Sequence, residues 1–104
     1  MITRDEFAAN LKTQLDEMSS GIDKMEKKVR EIKEKSRAGI QKRITKLREK
    51  RDAALNKLQE IKNTNEDAWI DLKQGAENVV NSLKTGLTKT LSHYKRQKTH
   101  PAVE

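Results

Sequence analysis

The chain has 104 residues, enough for one domain; 38% of them are charged, only a third are apolar, and the net charge is +7. Three aromatics, Phe7, Trp69 and Tyr94, cannot furnish a broad globular core, which leaves either disorder or long helices that bury a narrow seam. The absence of Cys excludes disulfides, thiolate catalysis and Cys-based zinc sites.

Periodicity decides for helices, beginning at the N-terminus. Thr3 and Glu6 have capping-box spacing: the Thr hydroxyl can accept the amide three residues on, and the Glu carboxylate can reach back to the Thr amide. Ile2 and Phe7 flank the box as a hydrophobic staple, and Asp5 and Glu6 complement the positive end of the helix dipole. No apolar run follows this opening, so no signal peptide is expected, and no stretch reaches the ~18 apolar residues of a membrane span. A cytoplasmic location is the expectation. From Leu11 the apolar residues fall at Leu15, Met18, Ile22, Met25, Val29 and Ile32, alternating steps of four and three that define a coiled-coil seam. Asp23–Lys27, Glu26–Arg30 and Glu31–Lys35 are i,i+4 pairs expected to help the helix by about 0.2–0.5 kcal/mol each.

The seam then slips. Ser36 takes the next core position, and the pattern resumes at Ile44, Leu47, Ala54, Leu58 and Ile61, with Arg51 intruding. Ile32 to Leu47 is fifteen residues, one more than two heptads. With neither Pro nor Asn/Asp at 36–39, a bend in a continuous helix absorbs the extra residue, and a true turn is the alternative. The first helix is expected to span 3 to about 62, roughly 90 Å at about 1.5 Å per residue.

Asn63-Thr64-Asn65 interrupts the helix formers. Thr64 and Asp67 repeat the Ser/Thr-x-x-Asp/Glu cap, and Glu66 and Asp67 place acid in a first turn. A joint at 63–66 and a second helix over about 66–98 follow, with an unbroken rod as the alternative. Beyond the joint, Trp69, Val80 and Leu91 stand eleven apart, as do Leu72, Leu83 and Tyr94, and Ala76 and Leu87. An eleven-residue step gives a nearly straight apolar stripe. Gly75 and Gly86 flank it and permit close approach of a neighbour. The tail, 99–104, containing Pro101, is expected to fray.

A short joint favours antiparallel neighbours. The fold class expected is all-α: one domain, an elongated coiled-coil hairpin with a long first helix and a shorter amphipathic second one. Ile44, Leu47, Leu58 and Ile61 would pack against Trp69, Leu72, Val80, Leu83, Leu87 and Leu91. The first helix would project past the second and leave Leu11, Leu15, Met18, Ile22, Met25, Val29 and Ile32 uncovered. An exposed apolar seam marks an interface, so a homo-oligomer, dimer or higher, is expected.

Chemistry is sparse. His93 and His100 are the only histidines, neither at a ligand spacing from a carboxylate, and no Gly-rich phosphate loop occurs. No enzyme, metal or cofactor is expected. Charge is more informative: residues 1–23 carry net −3, 24–52 net +8, 53–78 net −2 and 79–104 net +4. Lys42, Lys46 and Lys50 repeat every four residues, with Lys35, Arg43 and Lys57 nearby. Such a ladder could track phosphates in a salt-dependent, sequence-independent way, although no aromatic is interleaved and no reading motif is present. The 69–94 stripe, flanked by Lys73, Lys84 and Lys95, resembles interfacial lipid-binding helices, yet a stripe at helical spacing is more often core. Binding to protein, by self-association or through a partner helix, is the leading expectation; nucleic acid and the membrane surface are the alternatives.

Two runs carry a family resemblance: Leu47-Arg48-Glu49-Lys50-Arg51-Asp52-Ala53, and Asp67-Ala68-Trp69-Ile70-Asp71-Leu72-Lys73-Gln74-Gly75-Ala76-Glu77. They resemble small bacterial coiled-coil proteins, most of them uncharacterised and some carrying a stress-response label; Asp16-Glu17 and Ile22-Asp23-Lys24 are similar to that family's opening segment. The resemblance spans nearly the whole chain, and the Asp-Ala-Trp-x-Asp-Leu-Lys-x-Gly core is its most specific part. Gly39 and the Thr/His-rich ending depart from it. It implies a small helical protein without enzymatic activity and supplies no active site to carry over.

Overall fold

A computed structural model describes residues 2–99, with side chains through Arg96. The chain is all-α. Helix α1 (Arg4–Lys28) runs into one 3₁₀ turn (Val29–Glu31), and is followed by α2 (Glu34–Lys62) and α3 (Trp69–Thr99). These form an up-down-up bundle of 57 × 21 × 18 Å. The expected two-helix hairpin is therefore corrected to three helices, and the 90 Å first helix is two helices folded against each other.

The start of α1 follows the sequence signals. Thr3 Oγ1 accepts from the Glu6 amide at 3.1 Å, and Glu6 Oε1 accepts from the Thr3 amide at 3.2 Å. Its end does not. Ile32 (φ −100°, ψ 165°) and Lys33 (φ −60°, ψ 145°) are extended and reverse the chain, with no Pro, Gly or Asn to announce the turn. A residue four positions on, Arg37, does the local work. Its Nη2 donates to the carbonyls of Arg30 at 3.2 Å and Ile32 at 3.1 Å. A helix end orphans such carbonyls, and a guanidinium returning from the next helix supplies their donors.

The slip in the seam now has a different cause. The core of α2 is Ile40, Ile44, Leu47, Ala54, Leu58 and Ile61, which with Arg51 keep unbroken steps of four and three. The fifteen-residue interval is the phase difference between two seams on separate helices. All seven residues of the first seam are buried within this chain, in one cluster with the cores of α2 and α3. The surface that called for a second chain is internal.

The joint stands where the sequence placed it, but its cap differs. Thr64 Oγ1 donates back to the Glu60 carbonyl at 2.5 Å, and the Thr64 carbonyl accepts from Arg4 Nη1 at 2.6 Å. Asn65 does the capping: its Oδ1 accepts from the Ala68 amide at 2.9 Å. The helix begins at Trp69, three residues later than expected. Trp69 is buried with its ring centroid 5.4 Å from that of Phe7, so it ties the joint to the start of α1.

In α3 the buried positions are Trp69, Ala76, Val80, Leu83, Thr90 and Tyr94, with Leu87 partly buried against them. Their steps of seven, four, three, four, three and four are a heptad. The eleven-residue pattern shares Trp69, Ala76, Val80, Leu83, Leu87 and Tyr94 with it and departs from it at the half-buried Leu72 and at Leu91. Thr90, only 2% exposed, takes the core position, and Leu91, at 36%, is on the rim. The buried hydroxyl is satisfied by donating to the Gly86 carbonyl at 2.8 Å. Gly86 is where α3 approaches α2: a Cβ there would lie 3.0 Å from Leu47 Cδ2. Gly75 faces open space and permits no close approach.

Candidate anion-binding face

The up-down-up order decides where charge goes. α2 runs antiparallel to both neighbours, so Arg48 reaches Asp23 and Glu26 of α1, and Leu47 meets Gly86 of α3. Residues 24–52 and 79–96 therefore share one half of the bundle. They carry +8 and +4, so that half has net +12. Residues 1–23 and 53–78, at −3 and −2, share the other half, with net −5. The same +7 that the composition reports is a strongly polarised molecule.

Within the basic half, α2 and α3 bound a groove. Arg43, Lys46 and Lys50 line it from α2, Lys89 from α3, over a floor of Leu47, Gly86 and Thr90. It continues over Asn78, Asn81, Ser82 and Thr85 in one direction and Thr88, Ser92, His93 and Arg96 in the other. No carboxylate lines any of it, and none stands within ion-pair distance of Arg43, Lys46, Lys50 or Lys89 among the described residues. These cations repel one another, and no ion pair among the described residues offsets it. Burial, then the guanidinium groups of Arg43 and Arg96, hold His93 below its usual 6.5. At neutral pH its imidazole is uncharged, a neutral spot inside a positive rim.

The expected anion-binding residues separate accordingly. Arg43, Lys46 and Lys50 meet in the groove; Lys42 is exposed on the same half of α2, and Lys35 stands at the start of that helix. Lys57 lies in the acidic half, 3.7 Å from Glu60, and is not part of the face. Lys89, Ser82 and Thr85 were not anticipated. Their signal was present all the same: after Glu77 the sequence has no carboxylate until Glu104.

The remaining expected contacts fall in the core. Ile44, Leu47, Leu58, Ile61, Trp69, Val80 and Leu83 are buried, Leu72 and Leu87 half-buried, and Leu91 is the one placed on the rim. The 69–94 stripe is thus turned inward. Asp23 and Glu26, expected to pair along α1, are gathered by Arg48 across the α1–α2 interface, at 3.3 Å in the case of Asp23. Among the described residues no three His, Asp or Glu side chains are grouped to hold a metal, and no helix is long and apolar enough to cross a membrane. His100 lies outside the described residues.

Comparison with protein-family models, with curated proteins and with solved structures finds no match for this chain.

Proposed function

We propose that this chain is a non-enzymatic helical binding protein that engages an anionic partner through its basic half. The observation that carries the reading is the segregation of charge, +12 against −5, along a bundle only 57 Å long. A single-sign surface of that strength raises the local concentration of counter-charged molecules and speeds encounter. It also destabilises the fold by self-repulsion, a cost that a neutralising partner offsets. A cytoplasmic location, and the stress association that the sequence resemblance implies, belong to this proposal. Self-association through the 11–32 seam is not, because those residues already pack in this chain. Association with membranes through 69–94 would require α3 to leave the bundle, since Trp69, Ala76, Val80 and Leu83 form its core.

The test is retention on immobilised heparin. Elution is expected only well above about 0.15 M salt, since a multi-cation contact weakens steeply but not completely at that ionic strength. Passage through the column at about 0.05 M salt would dispose of the reading.

A further inference from the structure

We infer that the groove between α2 and α3 is a binding site for the phosphodiester backbone of a nucleic-acid duplex, held without regard to base sequence. The inference rests on the proposed function above and names its partner.

Three observations carry it. The first is the chemistry of the lining: Arg43, Lys46, Lys50 and Lys89 stand beside Ser82 and Thr85, with no carboxylate in the groove. Cations with interspersed hydroxyls are the donors that phosphate oxygens take from proteins, and they fix position without reading bases. The second is what the face lacks. Among the described residues its only exposed large apolar side chain is Leu91, while Leu55 and Ile70 lie in the acidic half. Most protein interfaces centre on a buried cluster of aromatic, apolar and Arg side chains, and an interfacial membrane helix sinks an apolar face among lipids. Phosphate contact needs neither. The third is the position of the aromatics. Phe7 and Trp69 pack together at the far end, and Tyr94 is buried. Among the described residues no Phe, Trp or Tyr ring is exposed on the basic half, and the only ring lining the groove is the half-buried His93 imidazole, so unstacked bases find little platform. A duplex, whose bases are already stacked, is favoured over a single strand.

Size agrees. From Ser82 to Arg96 is fourteen residues, about 21 Å at ~1.5 Å per residue. That matches the rise of about six base pairs at ~3.4 Å each. A bundle 21 × 18 Å in section is too wide for the major groove, about 12 Å across, so it must lie over the backbone.

The experiment compares the full chain with two triple variants of equal charge change. One removes the groove cations, Lys46→Gln, Lys50→Gln and Lys89→Gln. The other removes Lys24→Gln, Lys27→Gln and Lys28→Gln, exposed on α1, which contributes nothing to the groove. Thermal melts by circular dichroism establish that each folds. Binding is measured by fluorescence anisotropy to a labelled duplex of about 20 base pairs, to a single strand of equal length, and to phosphatidylserine vesicles, with heparin as the general polyanion.

The duplex is expected to bind wild type more tightly than the single strand. Four phosphate contacts should weaken it about a hundredfold between about 50 and 200 mM salt. The groove variant should lose at least tenfold and the α1 variant less than about threefold, since only the former removes direct phosphate contacts. Equal losses in both variants would overturn the groove site while leaving the basic-half reading intact. So would heparin binding without duplex binding, or tighter binding to the single strand or the vesicles. Failure of wild type to bind heparin or duplex at 50 mM salt would overturn both.

Discussion

Gly39 and Gly86 show how far a residue's meaning depends on what lies opposite it. Both sit inside helices, where Gly is about 1 kcal/mol worse than Ala. A Cβ on Gly39 meets nothing within 4 Å, whereas one on Gly86 meets Leu47 Cδ2 at 3.0 Å in the core. Gly39→Ala is therefore expected to stabilise the protein by about 0.5–1 kcal/mol. Gly86→Ala should destabilise it by about 1 kcal/mol, as overpacking exceeds the propensity gain. Urea midpoints with unchanged m-values check both. His93 gives a second prediction. Its pKa lies below 6.5 in the folded state, so the unfolded chain binds the proton more readily. The contribution is fully favourable above about 6.5 and is lost as pH falls through that value toward the lowered one. Urea midpoints at about pH 7.5 and about pH 5.5 should fall further apart in wild type than in His93→Gln. An equal fall in both would show that other groups carry the pH dependence.

The turn between α1 and α2 belongs to the scale of elements. Nothing in residues 29–33 announces a chain reversal, and the best turn residue nearby, Gly39, is helical. The reversal is held from a distance, by Arg37 on the carbonyls of Arg30 and Ile32. Arg37→Ala is expected to cost about 1.5–3 kcal/mol, the range for hydrogen bonds to a charged group in a part-buried site. Hydrogen exchange should show the loss first in amides at the end of α1 and the start of α2. Uniform loss across the bundle would mean that the turn is held by packing alone. The joint before α3 was legible because Asn63-Thr64-Asn65 is poor helix sequence in its own right. Which side chain caps it was not: Thr64 and Asn65 both can, and the Thr64 hydroxyl is turned back onto the Glu60 carbonyl while Arg4, arriving from sixty residues away, takes the Thr64 carbonyl.

At the scale of the whole molecule, burial of the first seam within the chain changes what solution measurements should give. Light scattering at about 0.15 M salt is expected to return the monomer mass of 12.0 kDa. A dimer that persists at about 0.5 M salt would have to be apolar, and would point to an interface built on Leu55, Ile70 or Leu91. The basic half is likewise a property of the whole. Neither +8 in the middle nor +4 at the end forms a site alone. The antiparallel order of α2 and α3 makes one, by bringing Arg43, Lys46 and Lys50 beside Lys89.

The sequence by itself determined that the chain is helical, where α1 starts, that it breaks near 63–65, and which apolar residues lead each seam. These are local matters of capping, propensity and spacing, and they are written in neighbouring residues. Only the tertiary structure decided that the first half folds back at 32–33, that Thr90 rather than Leu91 enters the core, and that the positive charge gathers on one half. Each depends on which helix lies opposite. A heptad seam specifies that it must be covered and not by what, and here the covering partner is the rest of the same chain.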